Sequence, residues 1–194
     1  MTPKRFKKIS EVAGRRQKYL SLVLENIHDR HNVSAILRSA DAVGIDKVYL
    51  IYNTNKFPKI GKVSSGSAKK WVELFRFDNV KDCFAVLKKE KFKIYSTHIN
   101  EGIKNHSLYE MDFTGKVALV FGNEHVGISE EARQLADKNF IIPMYGMIQS
   151  LNVSVAAAVC LYETLRQREI KDMYEKSGFT KKELNKKIQE YSKK

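Results

Sequence analysis

The stretch Val117-Ala118-Leu119-Val120-Phe121-Gly122-Asn123-Glu124-His125-Val126-Gly127-Ile128 begins as an unbroken apolar run and then turns through two glycines that bracket a carboxylate. A short run with no polar alternation reads as a strand buried on both faces, the pattern of a parallel sheet covered by helices. The segments around it fit the same sheet. Tyr19 to Leu24, Val48 to Tyr52, Trp71 to Phe75, Lys93 to Thr97 and Phe140 to Ile142 read as further strands. Helical stretches lie between them. Asn32, as a cap, precedes Val33, Ile36, Leu37, Ala40 and Val43 at helical spacing, and Gly44 closes that segment. Asp78 opens a helix to about Lys89, and Ser129 caps one that includes Ala132 and Leu135. A polar loop rich in Gly, Ser and Lys is expected around Lys59 to Lys70. Strands alternating with helices give an α/β class, a parallel sheet with helices on both faces.

The ends of the chain read as additions to this core. Thr2 and Pro3 suit the cap and first position of a basic helix running to about Gln17. Leu151 to about Tyr174 reads as a long helix with Val155, Ala158, Val159 and Tyr162 on its apolar face, and Thr180-x-x-Glu183 is a capping box that opens a short basic terminal helix. We therefore expect a basic N-terminal helical extension over 1–18, an α/β domain over 19–174 and a basic C-terminal helical extension over 175–194.

Charge follows the same division. Of a net +13, residues 1–19 carry +6 and residues 161–194 carry +4, leaving +3 for everything between. Positive charge gathered at the ends suits a polyanion, most simply nucleic acid, with a merely solubilising surface as the alternative. The two cysteines, Cys83 and Cys160, lie far apart, and the five histidines have no ligand-like spacing, so neither a disulfide framework nor a metal site is expected. The longest apolar-rich run, Leu151 to Tyr162, contains Asn152 and Ser154 and is too short for a membrane span. The N-terminus lacks the apolar stretch of a signal peptide, so a soluble cytoplasmic protein is expected.

In open α/β sheets, ligands bind beyond the carboxyl ends of the strands, which directs attention to the loops after Leu24, Thr97, Phe121 and Ile142. The first loop leads into Asn32-Val33-Ser34-Ala35-Ile36-Leu37-Arg38, in which Asn32 and Arg38 share no narrow helical face. Arg38 alone would pass for an arginine reaching to solvent from a helix edge. The Gly122-Asn123-Glu124 turn offers close backbone approach and a carboxylate, or simply a tight turn. The last loop, Ile142-Pro143-Met144-Tyr145-Gly146-Met147-Ile148-Gln149-Ser150-Leu151-Asn152-Val153-Ser154, is too apolar for a solvated connection and is expected to pack on the core or around a ligand. Ser150 or Asn152 can also cap the helix that follows.

Together, these three stretches resemble the signature motifs of the SpoU/TrmH family, the knotted ribose 2′-O-methyltransferases. Ser150-Leu151-Asn152-Val153-Ser154-Val155-Ala156 is the most specific of them, and the resemblance extends to the N-terminal helix, Gly66-Ser67, Trp71 and Arg166-Gln167-Arg168. It implies a C-terminal deep trefoil knot, S-adenosylmethionine as methyl donor without a metal, and a homodimer whose sites draw on both subunits. It also implies tRNA as substrate, at the 2′-hydroxyl of a D-loop guanosine. Methylation of ribosomal RNA or of the wobble nucleotide is the alternative within the family, and a non-catalytic RNA-binding protein is the alternative outside it. By the same resemblance Arg38 is the catalytic arginine, acting as general base or as a stabiliser of phosphate and alkoxide. Asn32, Glu124, Ser150 and Asn152 complete the catalytic set, with Asn32 orienting Arg38 or the ribose and Glu124 holding the arginine. Thr97, Gly122, Ile142, Met144 and Leu151 match the cofactor-binding positions, and Arg15, Arg16, Arg166 and Arg168 match the tRNA-binding ones.

Overall fold

The computed structural model describes residues 1–54, 57–58, 68–98 and 105–194; Gly66-Ser67 and most of the polar loop expected around Lys59 to Lys70 lie outside them. Its elements, in chain order, are α1 (Pro3–Arg15), β1 (Gln17–Glu25), α2 (Arg30–Ala42), β2 (Ile45–Ile51), β3 (Glu73–Phe77), α3 (Val80–Lys89), β4 (Lys93–Thr97), β5 (His106–Ser107), β6 (Val117–Phe121), α4 (Glu130–Leu135), β7 (Lys138–Ile141), α5 (Val153–Ile170) and α6 (Lys181–Ser192). The seven strands form one sheet in the order β3-β2-β1-β6-β4-β7-β5, and each pairing is parallel.

β6, the strand the sequence singles out, is buried at every position. Its side chains alternate between two cores. Val117, Leu119 and Phe121 join Leu20, Leu22 and Leu24 of β1 under α2 and α5, while Ala118 and Val120 join Val23 under α3 and α4. α5 buries Ala157, Cys160, Leu161, Thr164 and Arg168. The expected apolar face is thus rotated: Val155 and Tyr162 are 48% and 54% exposed.

Thr2 caps α1 with Pro3 just inside it, Ser129 caps α4, and the Thr180–Glu183 capping box opens α6. Gly44 follows α2 at φ +81°, the left-handed conformation that ends a helix. Two local readings change. The cap of α2 is Asp29, whose carboxylate accepts the His31 N–H at 2.7 Å, so Asn32 lies inside the first turn with its side chain released for other use. β3 starts at Glu73 because Trp71 belongs to the packing of α6: its carbonyl accepts the Tyr191 hydroxyl at 2.6 Å and its ring meets Tyr191 edge-on.

The terminal helices pack on each other and on the body through Ile9, Ala13 and Tyr191, with Trp71, Leu184 and Ile188 around them. Arg16 is sealed beneath this cluster at 1% exposure. Its Nε donates to Tyr191 Oη at 3.1 Å, Nη1 to the Ile45 carbonyl at 2.9 Å, and Nη2 pairs with Asp41. Arg168 is 0% exposed, and donates to the carbonyls of Phe113 (3.0 Å), Tyr19 (3.0 Å) and Gly115 (2.6 Å) and to Gln17 Oε1 (3.0 Å). Neither arginine is a surface phosphate ligand here, contrary to the expectation. Each spends its fork of donors on buried acceptors that would otherwise be unpaired.

Candidate active site

β1 is flanked by β2 and β6, and β6 lies between β1 and β4, so the winding of the sheet reverses beside β1. Crevices at such reversals, beyond the carboxyl strand ends, are where open sheets bind ligands. The cavity lies on the β4 side of that reversal: the carboxyl ends of β4, β6 and β7 open into a space of about 580 Å³ whose walls include Thr97, Gly122, Glu124, Ile142, Met144 and Leu151. Ser150 and Asn152 line it as well, so all five expected cofactor positions and three of the five expected catalytic ones meet around one space.

The wall after β6 is a tight turn. Asn123 N–H donates to the Gly127 carbonyl at 2.8 Å and Gly127 N–H returns to Asn123 at 2.9 Å, with Gly127 at φ +70°. A Cβ on Gly122 would overlap the Gly127 carbonyl and Ile128 N, so only glycine fits there. Asn123 Nδ2 ties the turn to the Asn26 carbonyl at 2.8 Å, and buried Glu25 at the end of β1 accepts the Ser129 N–H at 2.9 Å.

The turn delivers Glu124 to the start of α2. Its carboxylate accepts Asn32 Nδ2 at 2.8 Å and the backbone N–H groups of His28 and Asp29 at 3.3 and 3.4 Å. Burial pushes the Glu124 carboxyl upward, but the hydrogen bonds from Asn32 and the backbone outweigh it and hold the group below the usual carboxylate range. An ionised Glu124 accepts only, which turns the Asn32 amide so that Oδ1 faces Asn152, whose Nδ2 donates to it at 3.1 Å. Asn152 Oδ1 is left to cap α5, accepting Ser154 N–H at 2.9 Å and the Ser154 hydroxyl at 2.6 Å. One relay of fixed polarity therefore joins the three sequence motifs.

Arg38 stands outside this relay. It is exposed on α2, does not line the cavity, and makes no hydrogen bond or ion pair with the described residues. Glu124 does not hold it and Asn32 does not touch it, because the helical angle between Asn32 and Arg38 sends them different ways. Of the four expected RNA-binding arginines, Arg15 and Arg166 are at the surface, the latter paired with Glu163 at 2.8 Å. The apolar loop after Ile142 divides: Met144 and Leu151 are half-buried and line the cavity, whereas its middle is open, with Tyr145 96% and Met147 99% exposed. Sequence reading passed over His98, which lines the cavity next to Thr97, and the capping role of Asp29. Their signals, a histidine directly after a strand and an Asp two residues before His31, were present but unspecific. Among the described residues, no group of three or more His, Cys, Asp or Glu is placed to hold a metal, and no helix is long and apolar enough to cross a membrane.

The model of the SpoU rRNA methylase family matches residues 19–162. A tRNA (guanosine(18)-2′-O)-methyltransferase of Thermus thermophilus is 44% identical over 175 residues, covering 90% of this chain and 89% of that protein. The crystal structure of the A. aeolicus TrmH/SpoU tRNA modifying enzyme superposes with a TM-score of 0.90 at 38% identity, covering 98% of this chain and 96% of that one. The SpoU methyltransferase AviRb of Streptomyces viridochromogenes, solved with AdoMet, superposes with a TM-score of 0.72 at 25% identity, covering 80% and 62%.

Proposed function

The chain belongs to the SpoU methylase family, and on that premise we propose that it methylates the ribose 2′-hydroxyl of guanosine 18 in tRNA, with S-adenosylmethionine as donor. The observation that carries this reading is the cavity at the ends of β4, β6 and β7, framed by the Glu124–Asn32–Asn152 relay. Its residues fit the cofactor. Small-molecule sites typically enclose about 300–1,000 Å³ with mostly apolar walls and a few polar groups. Ile142, Met144 and Leu151 supply an apolar slot suited to adenine, Thr97 a hydroxyl, and Gly122 bare backbone that a side chain would obstruct. When bound, S-adenosylmethionine supplies a sulfonium methyl open to in-line attack.

The rest falls to the chain. A ribose hydroxyl is a weak acid, so it must be positioned and its developing negative charge stabilised. Guanidinium donates five hydrogen bonds and accepts none, so we assign Arg38 to orienting the substrate phosphate and stabilising the alkoxide, the hydroxyl proton passing to solvent as the methyl is transferred and S-adenosylhomocysteine leaves. Asn32, Glu124, Ser150 and Asn152 hold the shape against which this happens. Arg15 and Arg166 meet tRNA phosphates, adding affinity more than sequence choice.

Arg38 is exposed and does not line the cavity of its own chain, and Tyr145, Met147 and Ile148 in the loop after β7 and Val155 and Tyr162 on α5 are exposed apolar side chains. These facts support a homodimer in which each subunit lends Arg38 to the cavity of the other. The insertion of β7 between β4 and β5 supports a trefoil knot in the C-terminal part. The division into a core over 19–174 and flanking basic extensions, and a cytoplasmic location alongside tRNA, complete the proposal.

The test is transfer of radiolabelled methyl from S-adenosylmethionine to unmodified tRNA and ribosomal RNA transcripts, with the product mapped by mass spectrometry. Label at the ribose of guanosine 18 is the expected result. Label elsewhere replaces the substrate, and binding of the cofactor with no label on any RNA overturns the enzymatic reading.

A further inference from the structure

We propose that His98 is a cofactor-binding residue, presenting its Nδ1–H to a hydrogen-bond acceptor on S-adenosylmethionine, and that Arg133 fixes the imidazole in the tautomer that makes this possible. The inference rests on reading the cavity as the cofactor site.

His98 is the first residue after β4, and its backbone N–H still donates to the Phe140 carbonyl of β7 at 3.2 Å. That bond anchors it between two strands whose ends form the cavity, and His98 is one of the residues that line it. Across from it, Arg133 of α4 places Nη1 2.5 Å from His98 Nε2, while its other terminal nitrogen pairs with Glu130 one turn back. A guanidinium has no lone pair to offer, so Nε2 must be the acceptor. A neutral imidazole that accepts at Nε2 carries its proton at Nδ1. The ring is kept neutral by the same surroundings: burial lowers the His98 pKa, Arg133 lowers it further and Glu130 offsets part of this. Protonation would set a second N–H against the guanidinium. Nδ1–H has no hydrogen-bond partner among the described residues, which leaves a half-buried donor of fixed position on the wall of a ligand cavity. A histidine retained only for packing would not need its outer nitrogen secured by an arginine that is itself secured by a glutamate.

S-adenosylmethionine carries acceptors on both its nucleoside and its carboxylate, and the experiment separates them. Binding of S-adenosylhomocysteine to the intact chain is measured by calorimetry for wild type, H98N, H98Q, H98A and R133L. Asparagine places its amide N–H where the imidazole has Nδ1, whereas glutamine places it near Nε2, against Arg133. One neutral hydrogen bond corresponds to roughly 3- to 10-fold in affinity. H98A and H98Q are therefore expected to bind about 3- to 10-fold more weakly, H98N within about 2-fold of wild type, and R133L in between because the tautomer is no longer enforced. In turnover the loss is expected in KM for S-adenosylmethionine. Repeating the series with 5′-methylthioadenosine, which lacks the amino-acid tail, assigns the acceptor: a persistent loss places it on the nucleoside, and a loss that disappears places it on the carboxylate. Wild-type affinity in H98A, or equal weakening in H98N and H98A, overturns the inference. Absence of cofactor binding by the wild-type chain would instead overturn the reading on which it rests.

Discussion

Glu124 and Arg38 bear opposite charges in one proposed site, and the chain treats them differently. Glu124 is surrounded by donors, so the folded protein keeps its proton off more strongly than the unfolded chain does. The unfolded chain then takes up more protons as pH falls, and the stabilisation by Glu124 is complete above the ordinary carboxylate range and lost as pH falls through the depressed folded value. Replacing Glu124 with Gln should cost about 1 kcal/mol near neutrality, because an amide turns an N–H group toward donors. Thermal unfolding against pH should show that gap closing on acidification; a gap that stays constant would remove the ionised carboxylate from the relay. The Arg38 side chain, by contrast, makes no hydrogen bond or ion pair with the described residues, so Arg38→Ala should leave stability and cofactor affinity nearly unchanged. Methyl transfer should fall by roughly 100-fold or more if the guanidinium stabilises developing charge, and single-turnover assays with saturating RNA would show it. The four arginines expected to bind RNA mark a limit of reading single residues. Arg16 and Arg168 look like Arg15 and Arg166 in sequence, and only the fold reveals that Phe113, Tyr19, Gly115 and Ile45 turn carbonyls toward them. Arg168→Lys should therefore destabilise the protein by roughly 3 kcal/mol, since an ammonium cannot reach four acceptors from one position. Arg15→Ala should leave stability alone and lower the salt slope of tRNA binding by about one. The reverse pattern in denaturation and binding isotherms would restore Arg168 as an RNA ligand.

Among the elements, the turn from Gly122 to Ile128 sets the shape of the site. Gly122→Ala would drive a methyl group into the Gly127 backbone, and overpacking of this kind costs about 1–3 kcal/mol when it must be absorbed. The strand beneath is buried on both faces and stays in place, so the strain should open the turn, displacing Glu124 from Asn32. We expect cofactor affinity to fall at least about tenfold while the main unfolding transition shifts by only a few degrees; calorimetry with S-adenosylhomocysteine and a thermal melt decide it. Elements of this kind were readable in advance. β4 and β6 have the boundaries expected, and the caps Thr2, Ser129 and Thr180 hold, because apolar runs and caps are local properties. β5, at two residues, carries no periodicity and exists only because β7 offers it an edge. The cap of α2 was misplaced because Asp29 and Asn32 are equally good caps by type, and the choice between them is made by Glu124, ninety-two residues from Asn32. The buried face of α5 differs from the expected one for a related reason: apolar residues surround its first turns while Glu163, Thr164 and Arg168 are among the residues it buries, so the helix cannot signal which side meets α2.

At the scale of the molecule, the exposed apolar loop and an arginine without a side-chain partner among the described residues become parts of one problem. Tyr145, Met147 and Ile148 of the loop after β7 are exposed, as are Val155 and Tyr162 of α5, and apolar side chains of this number, where they form one patch, mark a contact with another chain. In the proposed homodimer, a cavity that lacks Arg38 and an Arg38 that lies outside its own cavity would complement each other across a twofold axis. Tyr162→Arg should then convert a dimer to a monomer in analytical ultracentrifugation and abolish turnover, though Tyr162 touches neither the cavity nor the relay. A stricter test distinguishes shared sites from mere pairing. Chains carrying Arg38→Ala are co-expressed with chains carrying Gly122→Ala, under separate tags, and the mixed dimers are purified. If Arg38 serves the cavity of its own subunit, each site in the mixed dimer retains one defect and activity stays near zero. If it serves the partner's cavity, both defects fall on one site and the other is whole, so the mixed dimer should recover about half the wild-type rate. Recovery would place substrate activation and cofactor binding on different chains, and would explain why the Arg38 side chain pairs with none of the described residues of its own chain.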